Sequence, residues 1–156
     1  MQTQNMTHET EFPGGLTLRV PDLARVLIVS DNDSDTEWLK TAFQAAGLGS
    51  ESTNSMAAGC AFAKSGRFQV IFSTPVLADG SWMRLIEVAS QHNLGFEVVL
   101  LARTFTFGEW AEALQVGAFD VLDVLCDLPK AAEAARRASG SFFLRHFWAP
   151  HEVSVA

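Results

Sequence analysis

Three short runs in this chain are apolar at every position: Val26-Leu27-Ile28-Val29, Val70-Ile71-Phe72 and Val98-Val99-Leu100-Leu101. A strand covered on one face alternates apolar and polar residues, whereas an unbroken aliphatic run is covered on both faces. Such strands belong to parallel sheets, whose neighbours are joined by crossover helices. The segments between the runs have the period that crossovers need. After the first run, Ser34-Asp35-Thr36-Glu37 has capping-box spacing, with Ser34 as N-cap and Glu37 at N3. Trp38, Leu39, Ala42, Phe43 and Ala46 then recur at helical spacing, and Gly47 stands where a C′ glycine belongs.

The alternation continues to the end of the chain. Ser50-Glu51-Ser52-Thr53 is a polar strand, suited only to a sheet edge. Met56 to Lys64 reads as a helix stopped by Ser65-Gly66, Asp79-Gly80 as a turn, and Trp82 to Gln91 as a helix. Glu109 to Val116 is helical and closed by Gly117; Phe119 to Leu125 is the last strand and Leu128 to Ala138 the last helix. Strict alternation of this kind predicts an α/β fold, a three-layer α/β/α sandwich with right-handed crossovers. A half-Rossmann unit or a flavodoxin-like five-stranded parallel sheet of order 2-1-3-4-5 fits the length, and the polar second strand suits the edge place in the latter. Residues 1–23, with Pro13-Gly14-Gly15, read as a flexible N-terminal segment, 24–140 as the folded domain, and 141–156 as a short aromatic tail after a break at Ser139-Gly140-Ser141.

Composition narrows the function. A net charge of −7, from 11 basic and 18 acidic side chains, argues against nucleic acid as partner. No apolar run approaches the ~20 residues that span a bilayer, and the N-terminus has no signal-peptide pattern, so the expectation is a cytoplasmic protein without a membrane partner. Cys60 and Cys126 give no disulfide framework and sit beside apolar residues, so both read as buried free thiols. No glycine-rich phosphate loop is present, which disfavours flavin or dinucleotide. Asp31, Asp33 and Asp35 have the spacing of calcium-loop ligands, but Thr36 and Ala42 occupy the glycine and glutamate positions of that loop. The four histidines are scattered and form no catalytic spacing, so an enzyme is not expected.

In open α/β sheets the chemistry sits past the carboxyl ends of the strands. Val26 to Val29 followed by Ser30-Asp31-Asn32, the loop Thr74-Pro75-Val76-Leu77-Ala78-Asp79-Gly80-Ser81, and Gly117-Ala118-Phe119-Asp120-Val121-Leu122-Asp123-Val124-Leu125 stand at those ends. Together these segments resemble the receiver domain of two-component response regulators, from about Arg25 to about Ala138, as a degenerate member. The resemblance implies Mg²⁺ in an acidic pocket and phosphoryl transfer to an aspartate. It places the phospho-acceptor on Thr74, the acidic pair on Ser30 and Asp31, the hydroxyl of the fourth strand on Ala102, the lysine on Val124 and the aromatic switch residue on Val121. Only Asp31 keeps its chemistry.

The losses are physically coherent. Threonine cannot form an acyl phosphate, valine cannot neutralise transferred charge, and Asp31 alone would hold Mg²⁺ weakly at best. Losing acid and base together avoids the ~3–5 kcal/mol cost of a stranded buried charge. No cofactor is therefore expected. Asp79 reads as a turn residue and not a relocated acceptor, and Ser73 and Thr74 as local hydrogen bonders and not kinase targets.

Two aromatic groups remain: Phe105, Phe107 and Trp110 around the start of the fourth helix, and Phe142, Phe143, Leu144, Phe147 and Trp148 in the tail. The resemblance implies that the fourth helix, fifth strand and fifth helix form a dimer or partner face. Phe143, Leu144, Phe147 and Trp148 share one side of a helix and are either an intramolecular cover or an interface. Too few residues follow Ala138 for an output module, so the expectation is a stand-alone pseudo-receiver. It would act by protein–protein contact, with a histidine kinase, another regulator or a second copy as partner. The alternatives are phosphorylation at a non-standard residue, or a small ligand in the vacated pocket of Ser30, Asp31, Thr74, Ala102 and Val124.

Overall fold

The computed structural model describes residues 9–12, 16–19 and 25–147. Two short strands, β1 (Glu9–Phe12) and β2 (Leu16–Arg19), pair antiparallel, where the sequence showed no strand period. The main body begins with β3 (Arg25–Val29), followed by α1 (Asp33–Ala45), β4 (Gly49–Thr53) and α2 (Met56–Lys64). Then come β5 (Val70–Ser73), a two-residue hairpin of β6 (Val76–Leu77) and β7 (Gly80–Ser81), and α3 (Met83–Gln91). The chain continues with β8 (Glu97–Ala102), α4 (Phe107–Val116), β9 (Ala118–Asp123), one 3-10 turn (Leu128–Lys130) and α5 (Ala131–Phe147). The five long strands form one parallel sheet of order β4-β3-β5-β8-β9, the expected 2-1-3-4-5 arrangement.

The apolar runs do what their composition demands. Val26 and Ile28 pack with Leu39 and Phe43 of α1 and the alanine stripe Ala131, Ala134, Ala135 and Ala138 of α5. Leu27 and Val29 point to the opposite face, with Met56 and Cys60 of α2 and Leu85 of α3. Alternate residues of one strand thus enter two separate cores, and the molecule has three layers. The polar β4 is the edge strand, where Glu51 takes ion pairs from Arg25 (2.9 Å) and Arg67 (3.1 Å).

Local details differ from the sequence reading. The N-cap of α1 is Asn32, not Ser34; its side chain accepts the Asp35 N–H at 2.9 Å. An asparagine in that place starts the helix earlier and leaves the Ser34 pattern inside it. Strand β9 ends at Asp123, so Val124 and Leu125 lie beyond it. The break at Ser139-Gly140-Ser141 does not occur: α5 runs through it to Phe147. The reason lies in tertiary contacts. Glu97, at the start of β8, accepts the Ser141 hydroxyl (2.9 Å) and an Arg145 N–H (2.8 Å), and Arg145 also reaches the Gly95 carbonyl (2.7 Å). Charge-assisted bonds on both sides of a turn outweigh one glycine's weak helix propensity. No helix among the described residues is long and apolar enough to cross a membrane.

Candidate functional site

Parallel register brings the carboxyl ends of four strands to one edge, with Val29 beside Ser73, Ser73 beside Leu100, and Ala102 beside Asp123. The ladder continues one residue past the strands. Thr74 N–H donates to Val29 O (3.0 Å), Ser30 N–H to Thr53 O (3.0 Å) and Val124 N–H to Ala102 O (2.9 Å). Ser30, Thr74, Ala102 and Val124 therefore stand at this edge, and Asp31, the residue after Ser30, is exposed.

The chemistry at this edge is hydroxylic and apolar. Ser30 is buried, and its Oγ accepts the Asn32 N–H at 3.1 Å. Ser73 is fully buried and donates to the Thr74 carbonyl at 2.8 Å. Thr74 Oγ1 is buried and has no hydrogen-bond partner. Val124 is buried, and Ala102 is half-buried. Among the described residues no three of His, Cys, Asp and Glu converge. A hard cation such as Mg²⁺ wants several oxygen ligands, at least one or two of them carboxylates. At this edge Asp31 is exposed, Asp33 lines the same hollow as Ser30, and Ser30 Oγ is already engaged by an amide.

The sequence reading missed the contacts of three residues. Arg103, immediately after β8, puts a cation at this edge and spends it on Asp35 of α1, at 2.9 Å. Asp79 is more than a turn residue. Its carboxylate accepts the N–H groups of Met56 (2.8 Å) and Ala57 (2.9 Å), capping α2 from 23 residues away. Those bonds hold its carboxyl below the usual carboxylate range. Glu109 forms a capping box with Thr106, which begins α4 at Phe107 and not at Glu109. Only this last signal, Thr-x-x-Glu, was legible beforehand.

The aromatic groups divide. Phe105 and Trp110 are half-buried and pack against the core under α2, α3 and α4. Phe107 stays out, 78% exposed, with its ring 5.4 Å from that of Trp110. In α5, Phe142 and Phe143 are half-buried and in edge contact at 5.1 Å, while Leu144 is exposed. The side chain of Phe147 and all of Trp148 lie outside the described residues. Val121 is buried on the α4 side of the sheet. Of the two thiols, only Cys126 departs from the expected burial. Cys60 is buried, and burial pushes it up; Cys126 is exposed in the turn after β9, where its bond to Asp123 raises it.

Beside Val121 lies a half-enclosed cavity of about 280 Å³ between the ends of β5 and β8, β9 and α4. Its lining includes Trp82, Leu100, Phe105, Trp110 and Val121. Of the five residues expected to line a vacated phosphate pocket, Ala102 also borders this cavity.

No family model and no curated protein sequence matches the chain. Solved structures do. The receiver domain of a Francisella response regulator superposes with a TM-score of 0.69 at 15% identity, covering 76% of this chain and 98% of its own. A response regulator receiver domain from Clostridium thermocellum gives 0.69 at 18%, over 78% and 98%. The beryllofluoride-activated NtrC4 receiver domain dimer gives 0.68 at 19%, over 76% and 98%. With its strand order, its two cores and these superpositions, the chain has the receiver-domain fold.

Proposed function

We propose that this chain is a receiver-type signalling domain that works by protein–protein contact, without phosphorylation of an aspartate and without Mg²⁺. The observation that carries the reading is the end of β5. Thr74 stands there with its backbone in the ladder and its hydroxyl buried, where an acyl phosphate would need a carboxylate. Val124 is buried beside Ala102 and supplies no cation, and Arg103 is already paired with Asp35. Non-standard acceptors are less suited. Both oxygens of Asp79 already accept amides of α2, and Asp31 has no paired cation in the described contacts. The domain is then a binding module and not an enzyme, in keeping with a cytoplasmic place.

The partner is a protein, a histidine kinase or another regulator, or a second copy across the face of α4, β9 and α5. One structural neighbour, the activated NtrC4 receiver domain, is a dimer. On this chain α4 and α5 expose Phe107, Val116 and Leu144, and exposed apolar groups of this kind favour association. The test is intact mass after incubation with Mg²⁺ and a small-molecule phosphodonor, beside an active receiver. No phosphoryl adduct is expected. An adduct that is acid-stable and base-labile, mapped to Asp31 or Asp79, would overturn the reading.

A further inference from the structure

We propose that the cavity beneath α4 is a binding site for a small aromatic molecule of one or two rings, neutral or cationic. Its volume is about 280 Å³. A dry apolar cavity of about 150 Å³ already admits benzene, and ligand pockets begin near 300 Å³. The walls are aromatic, Trp82 and Trp110 with Phe105, while the small side chains of Ala102 and Ala113 leave the space between them. Aromatic rings offer faces and edges on which a planar ligand stacks. The site is largely pre-formed, because Trp82, Leu100 and Val121 are each buried to within a few per cent.

The helix above it supplies a second observation. A helix covering a sheet normally buries an apolar stripe, yet no residue of α4 is fully buried. Trp110, Ala113 and Leu114 of α4 pack against the core only half-buried, and a guest in the cavity would complete their burial. The mouth carries Thr104 and Glu109, both exposed. Glu109 gives one oxygen to the Thr106 N–H at 2.8 Å, and no basic side chain lines the cavity. That charge pattern disfavours an anion and tolerates a cation. The inference does not depend on the absence of phosphorylation: a phosphoryl adduct would overturn the proposed function and leave this cavity as it is.

The test is a methyl-resolved NMR titration of the full chain with indole, tryptamine and indole-3-acetate. Saturable shifts are expected at Leu100, Ala102, Ala113 and Val121. Tryptamine should bind at least as tightly as indole, and indole-3-acetate about threefold or more weakly, from the Glu109 charge in a partly solvated setting. Val121→Phe and Ala113→Phe each fill the cavity from a different wall, and binding should vanish in whichever retains a dispersed spectrum. Absence of saturable shifts in the wild type would overturn the proposal. So would binding that survives in a folded filled variant, or the same resonances moving on concentration of the protein alone, which would make a second copy the occupant.

Discussion

Gly59→Ala should destabilise this protein, although helix propensity alone says the opposite. Gly59 lies inside α2, and replacing a mid-helix glycine by alanine ordinarily gains about 0.5–1 kcal/mol. Here the added Cβ would stand 2.9 Å from Val29 Cγ2 and 3.1 Å from Cγ1. Carbon atoms prefer about 3.5–4.0 Å. The neighbour cannot give way easily. Val29 is fully buried, β-branched and stiff about χ1, and the next residue, Ser30, begins the candidate site. Nor can α2 withdraw freely, since Asp79 grips its first turn and Met56, Cys60 and Ala63 are buried on the same side. Overpacking of this kind costs about 1–3 kcal/mol, so the net loss is about 1 kcal/mol after the propensity gain. In a domain of this size that lowers Tm by about 3–5 °C. Thermal unfolding by circular dichroism measures it. The internal control is Gly140→Ala in α5, where a Cβ meets nothing within 4 Å; that variant should gain about 0.5–1 kcal/mol. Removing the obstacle with Val29→Ala should turn Gly59→Ala from harmful to favourable, a coupling of about 1 kcal/mol or more. A Tm for Gly59→Ala at or above wild type would refute the close-approach argument.

Other perturbations probe the site and its supports. Thr74→Val removes a buried hydroxyl that has no partner and keeps the shape; it should raise stability by about 1 kcal/mol in urea unfolding, and a loss would show that Oγ1 is satisfied after all. Asp79→Asn should lower Tm at neutral pH, because the charged carboxylate caps α2. Since folding lowers the Asp79 pKa, its contribution is present above the unfolded value of about 3.9 and is lost as pH falls through the folded value. The gap between variant and wild type should therefore close below about pH 4, and a gap that persists in acid would exclude the charge as its cause. Glu97→Ala cuts both the Ser141 and the Arg145 bonds, and amide exchange at 141–147 should speed up well before the core is affected.

Much of the fold was legible because its causes are local in sequence. An apolar run buried on both faces, a glycine after three of the periodic stretches and a polar edge strand are properties of neighbouring residues, and they favour the order β4-β3-β5-β8-β9 with the handedness of crossovers. Parallel strands deliver their carboxyl ends to one edge, and that is where Ser30, Thr74, Ala102 and Val124 stand. What failed depended on partners distant in the chain. Gly140 looked like a helix break and is not, because Glu97, 44 residues away from Ser141, holds the next turn. Asp79 looked like half of a turn dipeptide and also caps a helix that begins at Met56.

Phe105 and Trp110 read as candidate interface residues, and how far each is buried is settled only once a sheet is placed beneath the helix, where both are half-buried. The cavity between them and Val121 has no signature in sequence at all, being a volume that no residue fills. The chain alone determined which strands are buried and which residues reach the carboxyl edge, because hydrophobic period and connection length set those. Tertiary packing alone decided which charges pair, which helix ends are capped from afar and where space remains, because those depend on distances between segments that the sequence does not order.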